Sequence, residues 1–251
     1  MSTFAPEMLS YLRACTRLVV LTGAGVSAES GVPTFRDAQS GLWARFNPQD
    51  LATPQAFRRN PALVWDWYAY RRDLIAAVSP NLAHRALAAL ETHYPEFTLV
   101  TQNIDDLHRA AGSQRVIELH GNIRRVRCFE CDALAQGWES STEKPPRCRQ
   151  CGGLLRPDVV WFGEALPRQA LEDALRATQS CQAFFSMGTS GMVEPAASLP
   201  FLAKRRGALV VEINLEPTPL SAAADYAFHA RAGEVLPALV RALFPPEMTT
   251  V

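Results

Sequence analysis

The chain has 251 residues, long for one packed core and short for two full domains, so one main domain with a smaller insert is expected. Hydrophobic residues make up 48 % and charged residues 20 %, an ordinary globular balance. Lys plus Arg equals Asp plus Glu at 25 each, so no global field draws the protein toward nucleic acid or membranes, and a basic partner must be recognised locally. No apolar run approaches the roughly 18 residues of a membrane span. The first residues, Met1 to Glu7, carry neither a signal-like segment nor the Arg-rich look of a transit peptide, so a cytoplasmic setting is expected.

In chain order, a short apolar run at Leu18–Thr22 reads as a buried parallel strand and leads into a glycine-rich loop. The segment Asp37–Val78 contains no strand-like run and ends in an aromatic-rich helix, Pro61–Val78. Ser79-Pro80 then opens a helix over Asn81–Tyr94. Strands follow at Phe97–Thr101 and Val116–Leu119, and a polar insert lies between Cys128 and Cys151. The second half alternates helix Arg168–Ser180, strand Ala183–Met187, helix Glu194–Arg206, strand Leu209–Ile213 and a closing helix Glu234–Phe244. This alternation predicts an α/β fold, a Rossmann-like doubly wound parallel sheet with a small second lobe made by the two segments that break the alternation. Segments 1–36, 79–122 and 157–251 are assigned to the sheet domain; 37–78 and 123–156 are the excursions that form the small lobe.

Six cysteines divide by context. Cys15 and Cys181 lie in apolar surroundings and read as small core residues. Cys128-x2-Cys131, sixteen residues, then Cys148-x2-Cys151 matches the spacing of a four-cysteine zinc ribbon. Four thiolates close the coordination shell, so the expected Zn²⁺ is structural. Within the insert, Lys144, Arg147 and Arg149 face Glu139 and Glu143, too little net charge for a nucleic-acid-binding ribbon.

Gly23-Ala24-Gly25-Val26-Ser27-Ala28 matches the G-x-G-x-x-G/A fingerprint in the required strand-to-helix context. Glycines there allow a tight turn and close approach to a pyrophosphate. The acidic residue that a hydride-carrier site expects about 20 residues on, at the end of a second strand, is missing. The chain instead runs through Glu29-Ser30-Gly31-Val32-Pro33-Thr34-Phe35-Arg36-Asp37, so the nucleotide is held differently, with Phe35 and Arg36 placed to lie over it.

Ligands of open α/β sheets gather at the carboxyl ends of strands. Those ends deliver Gln102-Asn103-Ile104-Asp105, His120-Gly121-Asn122, Gly188-Thr189-Ser190 and Asn214-Leu215-Glu216. His84, His93 and His108 sit in helical stretches expected to be exposed, and His229 lies near the C-terminus. His120 alone ends a buried strand beside a glycine, where an imidazole can act as general base.

These residues together resemble the sirtuins, the NAD-dependent protein deacylases. The likeness runs from Gly23 to Arg36, through Thr101-Gln102-Asn103-Ile104-Asp105 and Glu118-Leu119-His120-Gly121, to the four cysteines. It continues at Arg156-Pro157-Asp158-Val159-Val160-Trp161-Phe162-Gly163-Glu164 and Gly188-Thr189-Ser190, and spans about Leu18 to Pro237. The resemblance implies NAD in the cleft between sheet domain and zinc lobe. It assigns the signature loop (Gly23, Ala24, Gly25, Ser27, Ala28, Glu29, Thr34, Phe35 and Arg36) to the cofactor. Gln102, Asn103, Ile104 and Asp105 would surround nicotinamide and its ribose, with Asn103 and Asp105 counted as catalytic. Gly188, Thr189, Ser190, Asn214, Leu215, Glu216 and Ala232 would hold the phosphates and adenosine. The acyl oxygen would displace nicotinamide, and His120 would act as base on the ribose hydroxyls, giving O-acyl-ADP-ribose and free lysine. Val160, Trp161, Phe162 and Gly163 would pair with the substrate backbone as an added strand.

Tyr68 and Arg71 are three apart and share a helical face. The pair resembles the Tyr-x-x-Arg of the sirtuin branch that removes succinyl and malonyl groups, and Ala52 matches the small residue that leaves room for such chains. A guanidinium binds a terminal carboxylate bidentately and a phenol adds one hydrogen bond. Glu194 stands where relatives of that branch tend to carry tyrosine. A sirtuin-like ADP-ribosyltransferase and a non-enzymatic NAD sensor are the alternatives; the first has no use for Tyr68 and Arg71, the second none for His120. Neutral charge favours a monomer, with acylated lysine in proteins and NAD as partners and neither nucleic acid nor membrane.

Overall fold

A computed structural model describes residues 4–34 and 47–245. A first helix, α1 (Pro6–Ala14), opens on a proline and buries Met8 and Leu12. Strand β1 (Arg17–Thr22) leads into the short helix α2 (Ala24–Ala28). Helices α3 (Pro48–Leu51), α4 (Pro54–Arg59) and α5 (Pro61–Ala76) follow. The Thr53 hydroxyl accepts the Ala56 amide and the Asn60 side chain accepts that of Leu63, so α4 and α5 each start on a side-chain cap. Next come α6 (Leu82–His93), β2 (Glu96–Thr101), α7 (Leu107–Ala110), β3 (Val116–Glu118) and β4 (Gly121–Cys128). The remaining elements are β5 (Leu155–Val159), α8 (Arg168–Ser180), β6 (Ala183–Met187), α9 (Leu199–Arg205), β7 (Leu209–Asn214), β8 (Tyr226–His229) and α10 (Ala232–Leu243).

Six strands form one parallel sheet in the order β3-β2-β1-β6-β7-β8. The chain builds outward from β1 through β2 to β3, then returns to the other side of β1 and builds outward from β6. The order therefore reverses between β1 and β6, and the crevice at their carboxyl ends is the place where such sheets bind ligands. Both faces are covered, which is why β1 and β6 read as unbroken apolar runs. On one face Leu87, Leu90, Val235, Leu236 and Leu239, from α6 and α10, are fully buried or nearly so against Leu18, Val20 and Phe185. On the other, α8 and α9 pack Ala174, Leu199 and Ala203 against Val19, Leu21 and Phe184. Each fully buried aliphatic or aromatic side chain contributes about 1.5–3 kcal/mol.

β4 and β5 form a separate antiparallel ribbon that carries the cysteine insert. The expected boundaries at 122/123 and 156/157 thus fall inside β4 and β5. The ribbon and α3–α5 share an apolar cluster of Ala52, Phe57, Val64, Trp67, Tyr68, Ile123, Val159 and Trp161. Ile104 and Leu107, which follow β2, join that cluster, so the strand-end loop of the main sheet reaches into the second lobe.

One expected helix is shorter than its sequence suggested. Glu194–Arg206 is not continuous: Ala196–Ser198 forms a 3-10 turn and α9 starts at Leu199. Pro195 and Pro200 explain the break, since each lacks a backbone donor and Pro200 is tolerated only in a first turn. Among the described residues, no helix is long and apolar enough to cross a membrane.

Candidate active site

The glycine loop is shaped first by backbone packing. Gly23 N–H donates to the Met187 carbonyl at 3.0 Å and Gly25 N–H to that of Gly188 at 2.8 Å, tying the ends of β1 and β6 together. A Cβ on Gly23 would stand 2.7 Å from the Gly188 oxygen, and one on Gly25 2.9 Å from the Gly188 Cα. Gly188 itself has φ +55 and would bring a Cβ to 2.5 Å from the Val26 nitrogen. Three glycines from two loops are therefore required where the strand order reverses. The crevice they border carries no side chain from these positions, which suits a nucleotide.

Beneath the loop lies a buried polar network whose donors and acceptors can be counted. Asn103 Nδ2 donates to the Gly23 carbonyl and to Ser27 Oγ, both at 3.0 Å. Both amide protons are thus used, and Asn103 presents Oδ1, an acceptor, on its other side. The Asn81 amide donates to His84 Nδ1 at 3.3 Å, so the neutral His84 ring carries its proton on Nε2, which faces Ser27 Oγ at 3.4 Å. Ser27, receiving two donors, gives its own proton to Asp105. Asp105 Oδ1 also accepts the Leu107 amide at 2.9 Å. Burial raises the Asp105 pKa, and the Ser27 and Leu107 bonds and Arg71 oppose the rise.

His108 extends the network on its far side. Thr22 Oγ1 donates to Thr101 Oγ1 at 2.9 Å, which obliges His108 Nε2, also at 2.9 Å, to donate to Thr22. The expectation that His84 and His108 are exposed is therefore wrong: their exposures are 0 % and 2 %. Each ring turns inward from its helix, and the two pack with centroids 4.7 Å apart. Burial lowers His84 to about 4 and His108 to about 3. His93 is exposed, as expected. Among the described residues, the network members Thr22, Asn81, His84, Thr101 and His108 were given no role in the site by sequence reasoning; the Asn81-x-x-His84 capping pattern was the available signal.

His120 follows β3 and is half-buried. Its Nδ1 lies 3.0 Å from the Gln102 carbonyl, which can only accept. The neutral ring is thereby fixed with its proton on Nδ1 and a free lone pair on Nε2, the form a base needs. Burial lowers its pKa, partly offset by the bond to Gln102, so the neutral form is favoured. Gln102 also donates from Nε2 to Thr189 Oγ1 at 3.0 Å, linking the β2 and β6 loops. Gly121 has φ +79, and a Cβ there would lie 2.1 Å from the Asp158 oxygen, so the turn beside His120 requires glycine.

Other expected cofactor residues cluster at the same strand ends. The Ser190 position follows the Gly188 turn, Asn214 Nδ2 donates to the Glu216 carbonyl at 2.8 Å, and Leu215 is 61 % exposed. Glu29 accepts the Gly233 amide at 3.0 Å and so caps the start of α10 next to Ala232. Ala24 and Ala28 lie on α2, exposed, Ile104 is buried, and Thr34 is the last described residue of the loop. Phe35 and Arg36 lie outside the described residues.

The residues expected on the substrate side converge from both lobes. Val160 N–H donates to the His120 carbonyl and Phe162 N–H to the Ala52 carbonyl, both at 2.9 Å. Gly163 has φ +88 and closes the turn. Ala52, Tyr68 and Trp161 are all buried in one cluster, and Trp161 Nε1 donates to Tyr68 Oη at 3.0 Å. Tyr68 is pushed up to about 12, chiefly by burial, with Arg71 opposing. Burial lowers Arg71, and Tyr68, Asp105 and Tyr70 oppose the fall; its guanidinium lies over the Trp67 ring, 5.2 Å from the centroid.

The four cysteine sulfurs lie within 4.8 Å of one another, with Cys128–Cys151 at 3.4 Å and Cys131–Cys148 at 3.9 Å. Sulfurs bound at about 2.3 Å around a tetrahedral Zn²⁺ stand about 3.8 Å apart, so the quartet fits that ion. Amides of Glu130 and Cys131 point at Cys128 Sγ, that of Gln150 at Cys148 Sγ and that of Gly153 at Cys151 Sγ, at 3.4–3.5 Å. Such amide donors stabilise thiolate charge. The site lies in the ribbon loops with a closed ligand set, as a structural metal requires.

A profile of the Sir2 family matches residues 23–195. An "NAD-dependent protein deacylase" of Aquifex aeolicus is 54 % identical over 218 residues, covering 86 % of this chain and 90 % of that protein. "NAD-dependent protein deacylase 1" of Pseudomonas aeruginosa is 51 % identical over 246 residues, covering 95 % and 98 %. Among solved structures, a Sir2 homologue in complex with NAD is 48 % identical with a TM-score of 0.90, covering 96 % of this chain and 94 % of that one. A complex of Sir2 with a p53 peptide and NAD+ is 33 % identical with a TM-score of 0.83, covering 95 % and 98 %. The chain belongs to the Sir2 family, the sirtuins.

Proposed function

We infer that the chain is an NAD-dependent protein-lysine deacylase whose acyl pocket is built for succinyl and malonyl groups, with acetyl groups also accepted. The single observation behind the acyl assignment is Arg71: a buried guanidinium over the ring of Trp67, which shares one apolar cluster with Tyr68 and the small Ala52. A cation lowered by burial gains most from a ligand that brings a carboxylate.

NAD supplies a ribose carbon that exchanges its bond to nicotinamide for one to the acyl oxygen. His120 takes a ribose hydroxyl proton at Nε2, since the Gln102 carbonyl holds the other nitrogen protonated. Asn103 accepts a hydrogen bond at Oδ1, its amide protons being committed to Gly23 and Ser27. The 160–163 segment offers backbone to the peptide, which suits recognition of acylated lysine in many sequences. Zn²⁺ at Cys128, Cys131, Cys148 and Cys151 holds the ribbon and takes no part in the chemistry. Relatives named as deacylases and a solved family complex with NAD support the general activity.

Nicotinamide release measured with acetyl-, malonyl- and succinyl-lysine peptides tests the reading. The wild type is expected to prefer succinyl by kcat/KM, Arg71→Met to lose that preference, and His120→Tyr to release nothing with any peptide. Retention of desuccinylation by Arg71→Met sinks the acyl assignment; release without dependence on an acylated peptide sinks the deacylase reading.

A further inference from the structure

We propose that Trp161, through its indole N–H, is a positioning residue that aims the Tyr68 hydroxyl proton at the substrate's acyl carboxylate. The inference rests on the reading that Tyr68 and Arg71 receive that carboxylate.

The geometry leaves little freedom. Trp161 is 1 % exposed and its Nε1 lies 3.0 Å from Tyr68 Oη. An indole N–H donates and never accepts, so the phenol oxygen must be the acceptor. A phenol proton prefers the ring plane, which offers two positions; with one side of the oxygen taken by the indole, the proton points to the other. Tyr68 is thereby held as a donor on the side away from Trp161, the polarity that a carboxylate placed there requires and an acetyl methyl cannot use.

The indole is itself fixed from the substrate turn. Arg156 Cζ stands 3.3 Å from the Trp161 ring centroid, and its guanidinium forks onto Glu164, with Nη2 to Oε2 at 2.9 Å. Glu164 Oε2 also accepts the Trp161 backbone amide at 2.8 Å, and Arg156 Nη2 donates to the Val159 carbonyl at 2.7 Å. A cation over the ring face withdraws charge from the indole and strengthens its N–H as a donor. Hydrogen bonds in series reinforce one another, so the phenol becomes the better donor in turn. The turn that lies against the substrate backbone is therefore connected, through one side chain, to the residue that reads the acyl terminus.

The test is a double-mutant cycle in Trp161→Phe, Tyr68→Phe and the combined variant, with succinyl- and acetyl-lysine peptides. Trp161→Phe keeps a ring under Arg156 but removes the donor. The succinyl-over-acetyl ratio of kcat/KM is expected to fall about tenfold, through KM, the weight of one hydrogen bond. In the Tyr68→Phe background the same substitution is expected to change the ratio less than twofold. An unchanged ratio in Trp161→Phe, or an equal fall in both backgrounds, overturns the proposal. If the wild type shows no succinyl preference, or Arg71→Met keeps it, the underlying acyl reading has failed instead. Should Trp161→Phe not fold, the wild type decides. Of the five indole N–H resonances, the one displaced in Tyr68→Phe and still present in Trp67→Phe is Trp161's. It should move further on addition of succinyl-lysine peptide than of acetyl-lysine peptide, and an equal response to both overturns the proposal.

Discussion

The parallel sheet and the ribbon lobe are stabilised in opposite ways. The sheet is a continuous ladder with both faces covered by helices, and its fully buried Leu18, Val20, Phe184 and Phe185 need no polar partners. The ribbon lobe buries a small set, Trp65, Val126, Cys128, Cys148 and Leu155, beside the Ala52–Trp161 cluster. It depends on four sulfurs, side-chain helix caps, stacked aromatics and charge pairs. The candidate site draws on both: Asn103, Asp105, Gln102 and His120 come from strand ends of the sheet, Ala52, Tyr68, Arg71 and Trp161 from the lobe. The difference separates two tasks. On the function proposed above, a rigid sheet fixes the groups that act on NAD, while a lobe assembled from a few strong local interactions can vary the acyl pocket without disturbing them.

The strongest way to break this comparison is to remove the metal. Zinc-ribbon sites contribute about 10–16 kcal/mol of apparent binding energy, which in small lobes is folding energy. Chelation, or Cys148→Ser with Cys151→Ser, is expected to open the ribbon to protease and cut deacylation more than a hundredfold. The six-stranded sheet should stay folded, read as retained cooperative unfolding of the core. A zinc-free protein with full activity would mean that the lobe is held by its apolar cluster instead.

The same contrast explains what could be read from sequence. β1, β2, β6 and β7 are visible as apolar runs because both sheet faces are covered. β4 is hidden by Arg124, Arg125 and Arg127, which interrupt the hydrophobic pattern and find their partners, Asp106, Glu118, Asp132 and Asp158, only after folding. The four cysteines are legible because metal spacing is local. His84 and His108 were misplaced because a helical segment does not reveal which neighbours will cover it. His120 was legible as a strand-end histidine, but its tautomer depends on the Gln102 carbonyl, eighteen positions away. Arg156 and Glu164 stood inside a recognised motif with no role, because their fork around Trp161 is a tertiary arrangement.

An acid titration sharpens the comparison at the sheet. His84 and His108 have pKa values of about 4 and about 3 in the folded protein, against an ordinary value near 6.5. Between these limits the unfolded chain binds protons that the folded chain refuses. Their contribution is therefore fully present above about pH 6.5 and is lost as pH falls toward 4, at up to about 1.4 kcal/mol per pH unit for each ring. Urea midpoints measured from pH 7 to 4.5 should fall less steeply in His108→Gln than in the wild type. Equal slopes would show that the rings do not stay neutral in the folded core.

The smallest effect is expected at the seam between the two regions. Arg125 on β4 reaches Glu118 on β3 at 2.7 Å and Asp158 on β5 at 2.8 Å, and Glu118 also meets Arg109 and the Asn122 amide. The arginine is 41 % exposed, so water screens both pairs. Exposed pairs contribute about 0–1 kcal/mol each, against several kilocalories per mole from the apolar residues that span the same seam, Ile104, Leu107 and Ile123. Arg125→Gln should therefore lower stability by about 1 kcal/mol, and added salt should shrink the difference. A loss above about 3 kcal/mol, unaffected by salt, would show that charge and not apolar contact joins the lobes. The acyl pocket would then be tied to the sheet by a single arginine, and Arg125→Gln would also raise KM for the acylated peptide.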